Sequence, residues 1–309
     1  MTKFHVVLGS GFVGKNLVKL LANSNKNVIL VSRSGKSINN PNISSVKGDA
    51  SSLENLLSIT TKPEVVYNCI NPTHYNKWET EWPPITKAIN EYVIKTESVL
   101  VTCSNLYGYG PVDEVMTEDL PLKADWTNGR VRAEMWQEVK ALHDAQKMRA
   151  TEVRASDYIC ASDQSRMGDR VVPNLIKGKK IQLLGAINQP HTWTDPEDVA
   201  NLMMTISQDK RAWGKPWHVP SNKPKTQLEV VEDIARALGV AKPKVSSIPI
   251  VLQKMIGLFN PVVKELLNSN YQFDKPFIMS DEKTRNTFGI APKKWEKVIQ
   301  DLIGPYLKN

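Results

Sequence analysis

The chain opens on an apolar run, His5-Val6-Val7-Leu8, that stops abruptly at glycines 9, 11 and 14. Leu17, Val18, Leu20 and Leu21 then recur at helical spacing. A buried strand therefore runs almost directly into an amphipathic helix. A second strand follows, Val28-Ile29-Leu30-Val31, and a third leads into Gly48-Asp49-Ala50. Val65 to Ile70, Val99 to Cys103 and Thr151 to Ala155 read as strands four, five and six. A Trp- and Pro-rich loop with Tyr75, Trp78, Trp82, Pro83 and Pro84 precedes a helix of about ten residues. Val131 to Ala145 has helical spacing. This alternation predicts an α/β fold with a doubly wound parallel sheet. Its ligand crevice would lie at the C-terminal strand ends, where residues 9–14, 32–34, 68–72, 102–107 and 154–158 converge.

Beyond residue 160 the alternation fades. Val171 to Ile176 and Ile181 to Leu184 read as short elements around the loop Lys177-Gly178-Lys179-Lys180. Trp193 to Ser207 contains a helix capped by Asp195 or Thr194. Trp217-His218-Val219 is a short strand. Thr226-Gln227-Leu228-Glu229 is a capping box opening a helix to Leu238, stopped by Gly239. From Ile250 the pattern is helical to the end, broken at Pro261, Pro276 and Pro292. The division expected is a nucleotide-binding domain over residues 1–160, completed by about 191–220, with 161–190 and 221–309 forming a smaller, mostly helical substrate-side lobe. There is no second glycine fingerprint, internal repeat or low-complexity tract.

The glycine spacing suits a dinucleotide. Gly9 permits a tight turn, Gly11 lets a pyrophosphate approach the backbone, and Gly14 lets the helix pack close to the strand. Phe12 and Val13 open the helix whose free N–H groups and positive dipole end face the phosphates. An acidic residue after strand two would bind the ribose 2′-hydroxyl of NAD. Ser32-Arg33-Ser34 stands there instead, a cation and two hydroxyls suited to a 2′-phosphate, so NADP(H) is the cofactor expected. Asp49 and Ala50 either meet the adenine or, for Asp49, cap the next helix; Asn68 ends strand four at the same crevice.

Composition narrows the class. The chain has 309 residues, 41% hydrophobic and 23% charged, as in an ordinary globular protein. The net charge of +8 is scattered, without the interleaved aromatic and basic residues of a base-stacking surface, so nucleic acid is not an expected partner. No apolar stretch approaches the roughly 20 residues of a membrane span. The five histidines lack metal-ligand spacing, and no metal is expected. Cys69, Cys103 and Cys160 form no C-x-x-C pair; an odd, sparse count fits a reducing compartment, hence a cytoplasmic location. Cys69 and Cys160 are expected to be buried as small hydrophobes. From the direct start into strand one, no leader is expected. A small molecule is the expected partner, and a homodimer stays open as the assembly.

Several stretches together carry a resemblance. Besides Gly9–Gly14 they are Asn105-Leu106-Tyr107-Gly108-Tyr109-Gly110-Pro111 and Gly129-Arg130-Val131-Arg132-Ala133-Glu134. Arg154-Ala155-Ser156-Asp157, Pro190-His191-Thr192-Trp193 with Asp198-Val199-Ala200, and Tyr271 to Phe277 complete the set. The chain resembles the short-chain dehydrogenase/reductase superfamily in its extended form, the NAD(P)-dependent sugar epimerase/dehydratase group, and within it the atypical branch. The resemblance implies a Rossmann domain, a small helical C-terminal lobe and a site in the cleft between them. A typical member has Ser or Thr four residues before a Tyr-Gly pair, and Tyr-x-x-x-Lys on the next helix. Here the first position is Cys103, with Ser104 beside it. Counted back from Glu134, the Tyr position falls on Trp126 and the Lys position on Arg130, which would still bind ribose. A replacement proton donor is then sought among Tyr107, Tyr109, His191 and Asp157, or at Cys103 if its thiolate is stabilised.

Two functions compete. The first is an NADP(H)-dependent oxidoreductase or epimerase-like enzyme acting on a small polar carbonyl or alcohol, such as a sugar derivative. The second is a low-turnover NADP(H)-binding sensor or scaffold.

Overall fold

The computed structural model describes residues 3–249, 251, 255 and 267–308. Strands β1 (Phe4–Leu8), β2 (Val28–Ser32), β3 (Ile43–Lys47), β4 (Pro63–Asn68), β5 (Val99–Asn105), β6 (Arg149–Ala155) and β10 (Pro216–His218) form one seven-stranded sheet. Its order is β10-β6-β5-β4-β1-β2-β3, and every pairing is parallel. The order runs outward in both directions from the β1/β4 junction, so the switch point lies beside the glycine loop. This is the Rossmann-type doubly wound sheet expected.

Helices cover both faces because side chains alternate along each strand. Val7, Leu30, Val65, Val101 and Val153 face α1 (Phe12–Asn23) and α6 (Pro196–Ile206) in one buried cluster. Val6, Leu8, Val66 and Leu100 face α3 (Trp78–Thr96) and α4 (Thr127–Asp144) in another. A separate cluster joins Ile159, Trp193, Phe273 and Ile299 to Val230, Val231 and Ile234 of α7 (Gln227–Leu238). Two small parallel sheets serve that region: β7 (Asp157–Tyr158) beside β9 (Trp193–Thr194), and β8 (Ile181–Leu183) beside β11 (Val245–Ser247).

Local chemistry fixes several boundaries. Asp195 caps α6 by accepting the Glu197 N–H at 2.7 Å. Thr226 and Glu229 close the capping box of α7, and Gly239 ends it at φ +67°. The helix after β3, α2 (Leu53–Ile59), is capped by Ser52, which decides the open question at Asp49 against capping. The Trp- and Pro-rich segment differs from the expected loop: a 3-10 turn at Tyr75–Lys77 leads straight into α3, which carries Pro83 and Pro84 inside it. Burial of Trp78 and Trp82, 1% and 0% exposed, outweighs the two missing backbone donors. The cysteines are half-buried free thiols, and Cys69 and Cys103 pack against the α1/α6-side core. The helix start expected at Ile250 and its break at Pro261 fall outside the described residues. Helices Glu282–Phe288 and Trp295–Ile303 follow. Among the described residues, no helix is long and apolar enough to cross a membrane.

Candidate active site

The three glycines of the first loop meet three different environments. Gly9 has φ +101°, and a Cβ there would lie 2.7 Å from the Cys69 carbonyl oxygen. A Cβ on Gly14 would lie 2.0 Å from the Gly9 carbonyl oxygen, so α1 packs against the turn with no room to spare. A Cβ on Gly11 would meet nothing within 4 Å. Two glycines are thus required by packing, while the third keeps an open approach to the backbone at the N-terminus of α1. Phe12 and Val13 begin that helix, with Phe12 exposed and Val13 buried. These residues fit a dinucleotide pyrophosphate.

Ser32 ends β2, and its hydroxyl accepts the Gly35 N–H at 3.2 Å. Arg33 is exposed, and one of its terminal nitrogens donates to the Thr73 hydroxyl at 2.9 Å. With Ser34 beside it, this group suits a phosphate. Asp49 accepts from the Ser51 N–H and hydroxyl, which holds its carboxyl below the usual range. Ala50 lies half-buried next to it, packed against the α3/α4-side core. Asn68 is buried at the end of β4 and accepts the Ile70 N–H at 3.2 Å.

Helix α4 changes the reading of the charged residues. Arg130 lies on its outer side, paired with Glu79 at 2.8 Å and Glu134 at 3.7 Å. Arg132, two residues on and about 200° around the helix, is the guanidinium turned inward. It is 6% exposed, lies 4.8 Å from the Trp78 ring centre and 4.4 Å from that of Trp82, and donates to the Asn71 side-chain oxygen at 3.1 Å. Its Nε and Nη1 have no partner among the described residues. One turn earlier, the buried Asn128 donates to the Tyr75 carbonyl at 3.0 Å. The inward pair spaced by four is therefore Asn128 and Arg132, not Trp126 and Arg130. Trp126 precedes the helix and packs 5.1 Å from the Tyr107 ring centre.

Cys103 and Ser104 point to opposite faces of β5. The Cys103 sulfur lies 3.4 Å from the Tyr158 hydroxyl, and burial pushes its thiol up, so the thiolate is not stabilised. Ser104 is buried and hydrogen-bonds Glu152. Glu152 pairs with Arg154 at 2.7 Å, Arg154 donates to Tyr109, and the Tyr109 hydroxyl lies 2.8 Å from His218. This closed network takes both Ser104 and Tyr109 away from the crevice.

The remaining candidates occur in pairs. The Tyr75 hydroxyl donates to the Tyr107 hydroxyl, and burial, then Asp157, pushes the Tyr107 phenol up to about 12. His191 is 1% exposed, stacked 4.3 Å from Phe273 and 5.2 Å from Phe277. Its Nδ1 lies 3.0 Å from the Gln272 carbonyl and its Nε2 lies 3.0 Å from Asp157. Both ring nitrogens are engaged, so His191 orients Asp157 rather than facing the crevice. Burial raises the Asp157 carboxyl, but the His191 hydrogen bond and charge, with Arg166, carry it below its ordinary value. Arg132 and Tyr158 lie in stretches the sequence places at the crevice, but no motif gives either of them, or Arg166, a role. The available signal was the four-residue spacing of Asn128 and Arg132. Among the described residues, no group of three or more His, Cys, Asp or Glu is placed to hold a metal.

A model of the NAD dependent epimerase/dehydratase family matches residues 6–219, most of the chain. The chain belongs to that family. Its class is that of an NAD(P)-dependent enzyme. A search of curated protein sequences finds no match. Similar solved structures include dTDP-glucose 4,6-dehydratase from Bacillus anthracis, in complex with NAD, with a TM-score of 0.78 at 21% identity. That likeness covers 100% of this chain and 97% of the other. An epimerase from Methanothermobacter thermautotrophicus gives 0.79 at 16%, covering 100% and 93%. UDP-glucose 4-epimerase from Thermotoga maritima, with UDP-glucose, gives 0.79 at 14%, covering 99% of each. At these identities the likeness establishes the shared fold.

Proposed function

We propose that this family member is an NADP(H)-dependent oxidoreductase or epimerase-like enzyme acting on a small polar carbonyl or alcohol of the sugar-derivative class. The observation that carries the cofactor half is the division of labour among the three glycines of the first loop, of which only Gly11 is left open. Arg33 binds the 2′-phosphate, assisted by Ser32 and Ser34, while Asp49, Ala50 and Asn68 border the rest of the dinucleotide. Arg132 takes the ribose-binding role that the spacing gave to Arg130. When bound, the nicotinamide supplies or takes up a hydride. The chain must then orient the substrate, exclude water and move one proton. The sugar substrates named for several structures of this fold support the substrate class. Asn128, standing where a phenol would be expected, favours the second reading of a sensor with little turnover. NADPH oxidation assayed with sugar nucleotides and simple carbonyls separates the two. Turnover with any substrate supports the enzyme, and tight NADPH binding without turnover across the panel supports the sensor.

A further inference from the structure

We infer that Tyr158 is the proton carrier of this site, with Cys103 as its hydrogen-bond partner and Arg132 as its counter-charge. The inference rests on the NADP(H)-dependent reading above. Tyr158 follows β6 at the C-terminal end of the sheet, and its hydroxyl lies 3.4 Å from the Cys103 sulfur at the end of β5. The neighbouring strand end carries Cys69, whose Cβ lies 3.5 Å from where a Cβ on Gly14 would sit. The Asn68–Thr102 register places Cys69 and Cys103 next in line on adjacent strands. A short path therefore leads from the glycine loop through both cysteines to the Tyr158 hydroxyl. The other phenols are committed elsewhere. Tyr107 is paired with Tyr75, whose hydroxyl donates to it, and is ringed by Trp78 and Trp126, while Tyr109 belongs to the closed Arg154–His218 network.

The charged surroundings suit the role. Tyr158 is faced by Cys103 from β5, Cys69 after β4 and Arg132 from α4. Burial first, then the cysteines, pushes the phenol well above its ordinary value, while Arg132 pulls the other way. The phenol is thus held protonated in the absence of a second positive charge. Trp78 and Trp82 fix the guanidinium, and its Nε and Nη1 are left without partners among the described residues.

In reduction, the carbonyl carbon would take the hydride that NADPH gives up in becoming NADP+, and the C=O π pair would move onto oxygen. That oxygen takes the Tyr158 proton, the phenolic O–H bond breaks, and Arg132 balances the phenolate until solvent returns a proton. Oxidation of the alcohol runs the same path backwards.

The test is a pH titration of tyrosinate absorbance with and without saturating NADP+, on the parent, Tyr158→Phe and Tyr107→Phe. The cationic ring of NADP+ adds to Arg132, so one tyrosinate step should move at least one pH unit lower on binding. Tyr158→Phe should lose that step and Tyr107→Phe should keep it, with NADPH affinity within about twofold in both. Where a substrate turns over, Tyr158→Phe should lower kcat by about 10²–10⁴-fold. NADP+ binding with no moved step, or a step that survives Tyr158→Phe, overturns the assignment. A parent that binds no cofactor overturns the reading beneath it, and this inference with it.

Discussion

At the scale of single residues, space and charge decide each role. Gly11 and Gly14 look alike in the sequence but not in the fold. Gly11→Val would place a side chain in the open approach to the helix N-terminus. It should abolish NADPH binding in a fluorescence titration while the melting temperature stays within a few degrees of the parent. Gly14→Ala, aimed at the Gly9 carbonyl 2.0 Å away, should instead lower stability as well. Arg33→Ala should weaken NADPH binding by about tenfold to a hundredfold, the equivalent of about 1.5–3 kcal/mol for a charge-assisted contact. NADH binding should be unchanged, because NADH has no 2′-phosphate. The arginines of α4 show where residue-level reading ran out. Counting back from Glu134 selects Arg130, which shares the face of Glu134 and pairs with it there. Only the direction in which α4 packs brings Arg132 inward, and that direction is a tertiary fact.

At the scale of elements, local chemistry was legible wherever it was strong. The capping box at Thr226, the stop at Gly239 and the Asp195 cap appear where the sequence puts them. Helix α3 is the exception, since its Trp- and Pro-rich start reads as a loop through Pro84. Long-range burial of Trp78 and Trp82 against α4 overrides that local preference. These indoles also flank the Arg132 guanidinium, so fold and site share the same contact. Trp82→Ala should cost about 3–5 kcal/mol by leaving a cavity in the core. Urea unfolding would measure it, and a loss below about 1 kcal/mol would mean that α3 closes the gap by shifting.

At the scale of the whole molecule, the parallel sheet was readable because alternating strands and helices permit few topologies. The pairs that meet at the candidate site were not. Asp157–His191 and Cys103–Tyr158 join residues 34 and 55 positions apart, and no local pattern encodes their contact. A similar long-range link ties α6 to the C-terminal region. Both Asp198 carboxylate oxygens accept the Lys293 N–H, and the Lys293 ammonium bridges Asp195, Glu197 and Asp301. Burial first, with Asp195 adding to it, pushes the Asp198 carboxyl up to about 7. A carboxyl raised on folding contributes stability below its unfolded value, near 3.8, and loses it as pH rises through about 7. Asp198→Asn cannot ionise. Its stability relative to the parent should therefore improve as pH rises from about 4 to about 7 and level off above. Denaturant unfolding across that range reads the effect, and a difference constant with pH would remove Asp198 from the account.

The central claim is that the crevice at β1, α1 and β2 binds NADP(H) in preference to NAD(H). Parallel equilibrium titrations of the parent protein with NADPH and NADH test it most directly, at fixed ionic strength because the contact is charged. The account predicts that NADPH binds tighter by about tenfold to a hundredfold. Equal affinities, or tighter binding of NADH, would contradict it.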